Sequence, residues 1–230
     1  MPGNFNRFLN KMSVKKYYHY TSLEAIKGIL NTKQMWLTHH KHLNDTNEIL
    51  TGLKAYNDNG LFKNAYKCFD GIVSNSHFFI SSFTSKENSE YHWREYGPIC
   101  LEVSSDFLPF YECIYDEKKQ QEALNSLIQL IKDFKKIDNV ELHHLTKYLY
   151  QFKSQKYQNE EEVRYVTMKM ESEFEFNNGK PIIKHDIDIN KILSIILFEA
   201  SKNQEHYLTI FLEKHNLSDI EIKYNHLTSP

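Results

Sequence analysis

Two short polar clusters hold the residues of this chain best suited to chemistry: Tyr18-His19-Tyr20-Thr21, and far from it Glu160-Glu161-Glu162-Val163-Arg164. If the second opens a strand, Glu160 and Glu162 alternate by two and project the same way. Two carboxylates on one strand face repel, and such a pair is tolerated in solvent or where a site uses the charge. The plainer alternative is a solvated acidic strand edge with Arg164 as an ion-pair partner. His19 and Thr21 would stand where the first strand ends. A third segment, Tyr91-His92-Trp93-Arg94-Glu95-Tyr96, is dense in aromatic rings and charge. It reads either as a platform for a flat ring with an Arg for phosphate, or as a turn of helix that packs Trp93 and Tyr96 on the core. Ser81, Ser82 and Thr84 end a strand just before it and could supply hydroxyls to the same cleft.

Local pattern gives the elements that must position these residues. Lys16 to Tyr20 is rich in β-formers, and Ser22 precedes a helix-spaced apolar run, Leu23, Ala25, Ile26, Ile29 and Leu30, that should end near Asn31. Gln34 to Thr38 and His77 to Thr84 read as strands, Glu48 to Tyr56 and Leu61 to Phe69 as helices. Gly97-Pro98 stops whatever precedes it. Ile99 to Val103 and Tyr111 to Tyr115 read as neighbouring strands, and residues 117–153 as a helical insertion between sheet elements. A strand from Glu160 to Met170 follows, then a turn at Asn177 to Pro181. Ile192 to Phe198 is a buried strand, Ser201 to His215 a last helix, and Ile220 to Tyr224 an edge strand. No repeat or low-complexity linker interrupts the chain, so 1–230 reads as one α+β domain with a loosely attached segment at 1–15.

Composition bounds the partners. The 230 residues are 40% hydrophobic and 14% aromatic, enough for a sizeable core. The net charge of -2 lacks the global basic field of nonspecific nucleic-acid binders, so a protein acceptor is expected ahead of nucleic acid. Cys68, Cys100 and Cys113 are odd in number and lack C-x-x-C spacing, which suits a reducing, cytoplasmic setting. There is no apolar leader and no run long enough for a bilayer, so no membrane is expected; delivery into another cell would need a route without a cleaved signal. The histidines at 39, 40, 42, 143 and 144 have no metal-ligand spacing on an evident helix, and no metal is expected. Of 28 Lys and Arg residues only Arg7, Arg94 and Arg164 are Arg, and two of them fall in the clusters above. Arg suits the planar recognition of carboxylate or phosphate, whereas codon bias alone explains its scarcity without its placement.

Four sets of residues, in order, resemble the motifs of a bacterial family catalogued as domain of unknown function 2971: Tyr18-His19-Tyr20-Thr21-Ser22-Leu23; Trp36 with Leu43-Asn44-Asp45 and Glu48; Ser82-Phe83-Thr84 with Trp93-Arg94-Glu95-Tyr96-Gly97; and Lys153 with Tyr157, Glu160, Glu162 and Arg164. They span most of the chain, and 117–150 is covered least. That family looks related to the ADP-ribosyltransferase superfamily. The resemblance implies a split, curved mixed β-sheet core of that type, with surrounding helices. It implies NAD as substrate, held by His19 and Thr21, and a catalytic element at Glu160-x-Glu162.

In that chemistry, cleavage between ribose and nicotinamide builds an oxocarbenium-like cation that a carboxylate stabilises. The expected roles are Glu162 as that carboxylate and Glu160 as the group that orients or deprotonates an acceptor. Ser82, Trp93, Arg94 and Tyr96 would help to hold NAD. The expected function is an NAD-dependent ADP-ribosyltransferase acting on a macromolecule, as a toxin, effector or defence protein. The alternatives are an NAD glycohydrolase and a noncatalytic nucleotide-binding or interaction module.

Overall fold

Ten strands, β1 (Lys16–Thr21), β2 (Gln34–His39), β3 (His77–Thr84), β4 (Ile99–Ser104), β5 (Tyr111–Glu112), β6 (Glu162–Lys169), β7 (Glu175–Asn177), β8 (Lys180–Asp186), β9 (Ile192–Phe198) and β10 (Glu221–Asn225), form one open, curved, mixed sheet in the order β10-β9-β4-β1-β3-β2-β8-β7, with β6 on the other edge of β3 and β5 beside β6. The computed structural model describes residues 15–43, 51–52, 54–55, 77–135 and 142–225. The N-terminal segment up to residue 14, the helix expected at Leu61 to Phe69, and Asn44, Asp45 and Glu48 lie outside them. Within the span expected as helix from Glu48, residues 51, 52, 54 and 55 are helical. Among the described residues no helix is long and apolar enough to cross a membrane.

The first elements follow the local pattern. β1 (Lys16–Thr21) leads into α1 (Leu23–Thr32), whose first turn is capped by the Ser22 side chain accepting from the Ala25 N–H. Ile26, Ile29 and Leu30 form its buried stripe, and Lys33 ends it in the left-handed region. β2 (Gln34–His39) and β3 (His77–Thr84) follow.

Alternation along β3 builds a core on each side of the sheet: Phe79 and Phe83 pack with Leu30, Leu101 and Leu197, whereas Phe78 and Ile80 pack with Leu124, Leu149 and Phe152. The second core lies under α3 (Glu117–Lys135) and α4 (Leu142–Leu149), the helices of the expected insertion. Gly52 lets its segment close on α4, since a Cβ there would sit 2.6 Å from the Leu149 carbonyl oxygen.

Before these lies α2 (Glu90–Tyr96), capped by Ser89 and ended by Gly97 at φ 127. β4 (Ile99–Ser104) is buried throughout and pairs with β1 and with β9 (Ile192–Phe198). β9 is paired on both edges, as its largely apolar run requires, by β4 on one side and by the edge strand β10 (Glu221–Asn225), parallel to it, on the other. The hairpin of β7 (Glu175–Asn177) and β8 (Lys180–Asp186) turns through Asn178 and Gly179, both at positive φ.

Three local expectations are corrected. β5 (Tyr111–Glu112) does not neighbour β4 but pairs with β6 (Glu162–Lys169), because Phe107 and Leu108 dive into the first core and turn the chain away. The strand expected from Glu160 begins at Glu162, since Gln155–Glu160 is a 3-10 helix and Glu161 turns at φ 43. The last helix, α5 (Glu205–Lys214), starts after a 3-10 turn at Glu199–Gln204.

Candidate functional site

β3 is the strand at which the sheet divides. One edge pairs with β6 along its whole length, from His77 with Lys169 to Thr84 with Glu162. The other edge is shared: β2 pairs at Phe79 and Ile80, β1 pairs at Thr84, and Ser81, Ser82 and Phe83 lie between them. A cleft of about 540 Å³ opens over this gap, and β1, β2, β3, α2 and the 3-10 turn before β6 all contribute to its walls. His19, Ser82, Tyr96, Glu160 and Glu162 from the sequence reading all line it.

At one end the two carboxylates meet a lysine. Lys153 Nζ donates to Glu160 Oε2 at 2.6 Å and to Glu162 Oε2 at 2.5 Å. Arg164 grips Glu162 from behind, Nε to Oε1 at 2.8 Å and Nη2 to Oε2 at 2.7 Å. The carboxylates therefore converge although they are not neighbours on a strand face, and Lys153 between them removes the repulsion. Burial pushes Glu162 up, but the charge and hydrogen bonds of Arg164, with those of Lys153, outweigh it and hold the group at about 2. Burial, and the charge of Arg164, lower Lys153, and Glu162 and Glu160 together outweigh them so that its net shift is upward. Both groups are thus ionised at neutral pH.

The backbone around this quartet is strapped on both sides. The Glu162 N–H donates to the Tyr115 hydroxyl at 2.7 Å, and Thr84 Oγ donates to the Glu160 carbonyl at 2.7 Å. Lys153 is fixed by its N–H to the Ile114 carbonyl and by Gln120 Nε2 on its own carbonyl.

Across the cleft, His19 Nδ1 lies 2.9 Å from the Ser82 carbonyl oxygen. A carbonyl only accepts, so Nδ1 carries the proton and Nε2 of the neutral ring is an acceptor. Burial lowers the pKa of this ring, against the upward pull of that hydrogen bond. Thr21 closes β1 opposite Ile99 and is not among the cleft-lining residues.

α2 divides the third segment between cleft and core. His92 and Tyr96, four apart, face the cleft with Tyr91 and Glu95. Trp93 is 4% exposed and packs edge-on against Tyr20 and beside Phe198. Arg94 points out of the cleft into an ion pair with Glu90 one turn back, its side chain 76% exposed. Helical periodicity explains the division, since residues one apart on a helix diverge by about 100°. His92 rests its Nδ1 on Ser89 Oγ at 2.6 Å and stacks on Tyr20. Burial, then Lys86, lowers its pKa to about 4 against an upward pull from Glu162.

Three further residues have no role assigned by the sequence reading. Lys153 stands among the ordered motifs, but its place between the carboxylates follows from a long-range parallel bridge between Ile114 and Phe152. Trp36 and Lys180 also line the cleft; only strand register, Trp36 opposite Lys184 and Thr38 opposite Ile182, brings β8 there. Among the described residues no group of three or more His, Cys, Asp or Glu could hold a metal ion. No protein-family model, curated protein or solved structure matches this chain, so the cleft itself carries the functional argument.

Proposed function

We propose that this chain is an NAD-dependent ADP-ribosyltransferase acting on a macromolecular acceptor, built on the split-sheet core of that superfamily. One observation carries the reading: two buried carboxylates, Glu160 and Glu162, meet at Lys153 on one wall of a cleft whose other side presents the neutral His19. Arg164 lies behind Glu162 with no exposure, so the negative end of that pair faces the cleft. That is the field an oxocarbenium-like ribose needs as the bond to nicotinamide breaks and the leaving ring takes the bonding electrons.

Glu162, ionised at neutral pH, supplies this charge. Oε1 of Glu160 has no hydrogen-bond partner among the described residues, which suits it to take the proton of the attacking acceptor as the new bond to ribose forms. His19 Nε2 accepts from a ribose hydroxyl or the nicotinamide amide, and Tyr96 or Tyr91 covers the ring. With water as acceptor the same groups give an NAD glycohydrolase.

The test is nicotinamide release from NAD by the purified protein, with and without cell lysate, beside Glu162→Gln. Release that rises with lysate and drops at least a hundredfold in the variant is the expected result, comparable to loss of one electrostatic stabiliser. Wild-type turnover in Glu162→Gln overturns the assignment.

A second reading draws on a different observation. Both oxygens of Glu162 are already engaged by three donors, as in a purely structural ion network. It makes the chain a noncatalytic nucleotide-binding module, and calorimetry showing NAD binding without nicotinamide release would select it.

A further inference from the structure

The end of the cleft away from the carboxylates has its own chemistry. β2 is buried on either side of Trp36, with Met35 at 1% and Leu37 at 0%, yet Trp36 itself is 42% exposed. On that edge β2 pairs with β3 only at Thr38 and His39, so the strand beside Trp36 opens on the gap. Lys184 stands in register with Trp36 and lies over its ring at 5.8 Å, held there by Glu175 at 2.6 Å. A large aromatic surface is thus fixed from one side and left open to the cleft. Lys180, at the head of β8, lines the same end with Thr38 and His42, and among the described residues it makes no ion pair. Ser81, 4% exposed and among the residues that line the cleft, has a buried hydroxyl with no hydrogen-bond partner among the described residues. An unpartnered buried hydroxyl carries a desolvation cost that a polar ligand would remove.

We infer that the Trp36–Lys180 end of the cleft is a base-and-phosphate subsite, in which Trp36 stacks a flat heteroaromatic base and Lys180 meets the adjoining phosphate. Stacking on an exposed indole and a point charge for phosphate are the ordinary means of holding a nucleotide without reading its base. From β6 to β8 the sheet crosses three strand spacings, on the order of 14 Å. A ligand that reaches both ends is therefore two-headed, a dinucleotide and not a single nucleoside or sugar. This last step rests on the reading proposed above, whereas the subsite itself does not.

The two are separable by experiment. The chain has two tryptophans, Trp36 exposed and Trp93 buried, so a fluorescence change on adding ADP that is lost in Trp36→Ala reports Trp36. Quenching by ADP is expected in the wild type, with binding weakened about tenfold or more by calorimetry in Trp36→Ala. Lys180→Ala should weaken ADP while leaving adenosine unchanged. In turnover, Trp36→Ala should raise KM for NAD with kcat little altered, the pattern of lost ground-state binding.

ADP that leaves Trp36 fluorescence unchanged, or that binds Trp36→Ala as tightly as the wild type, overturns the subsite. Saturable ADP quenching without nicotinamide release would uphold the subsite and sink the transferase reading. Release that depends on Glu162, with an unchanged KM in Trp36→Ala, would do the reverse.

Discussion

Arg164 and Glu162, two residues apart on β6, hold each other through both carboxylate oxygens at 2.8 and 2.7 Å, and Arg164 has no exposed surface at all. A third guanidinium hydrogen bond reaches the Tyr150 carbonyl at 2.8 Å, fastening β6 to the end of α4. Burying such a pair costs several kcal/mol per ion in desolvation, and apolar residues of similar volume commonly do as well for stability. Its presence beneath a cleft is therefore better explained by what the charge does there than by what it adds to the fold.

Removing one partner should nevertheless be severe, because the other is left charged and buried. Arg164→Met is expected to lower unfolding free energy by about 3–5 kcal/mol. Arg164→Lys should recover only part of that, since an ammonium cannot span both oxygens. Adding Glu162→Gln to Arg164→Met should cost less than the two single losses together. Urea unfolding measures all of them, and a loss under about 1 kcal/mol in Arg164→Met would contradict the tight coupling drawn here.

The same pair sets an acid limit. Glu162 is held at about 2 against an ordinary value near 4.5. A depressed carboxylate contributes stability that is complete above its unfolded pKa and is lost as pH falls through its folded pKa. The contribution should thus be whole above pH 4.5 and gone below about 2, with a size of about 3 kcal/mol. Comparing unfolding at pH 5 and pH 3, the difference should shrink in Glu162→Gln; an equal difference in both proteins would count against it.

Histidines act earlier and for the opposite reason. Burial, with neighbouring charges, lowers His39 to about 4 and His40 to about 3; His77, His42 and Lys41 add to the effect on both. A histidine lowered in the fold takes its proton more readily in the unfolded chain. Stability should therefore fall as pH drops below about 6.5 and go on falling until these rings protonate in place, by then about 3 kcal/mol for His39 and about 5 kcal/mol for His40. His40→Phe, which also removes a buried Nε2 without a partner among the described residues, should flatten the decline between pH 6.5 and pH 4. An unchanged slope would show that His40 takes its proton as readily in the fold as in the unfolded chain, and so that its pKa is not lowered.

What the sequence made legible follows the range of the interactions involved. β1, the Ser22 cap, α1, β3, the Gly97 stop and the buried β9 are set by period and capping within a dozen residues, and they stand where the pattern puts them. The clustering of His19, Ser82, Tyr96, Glu160 and Glu162 in one cleft is legible because each lies at, or within two residues of, the end of an element. Arg94 was drawn in by its type alone, and only the phase of α2 decides that it faces outward while His92 faces in. The Lys153 bridge and the partners of β5 depend on contacts many residues apart, which no local period encodes.

Gly97 offers the sharpest test of how α2 is seated. Its φ of 127 lies where side chains are strained, and a Cβ there would stand 2.5 Å from the Thr21 carbonyl oxygen and 2.7 Å from its carbon. These are backbone atoms at the end of β1, so no side-chain rotation relieves the clash. Gly97→Ala must therefore push α2 off β1, at a cost of roughly 1–3 kcal/mol for the backbone conformation alone. Since α2 carries His92 and Tyr96 into the cleft, ligand binding should weaken by more than the stability loss explains. The control is Gly28→Ala, where nothing lies within 4 Å and a helical alanine should be neutral or stabilising by up to about 1 kcal/mol. Thermal unfolding and ADP titration of both variants decide it: equal behaviour of Gly97→Ala and Gly28→Ala would mean that α2 is not held by this contact.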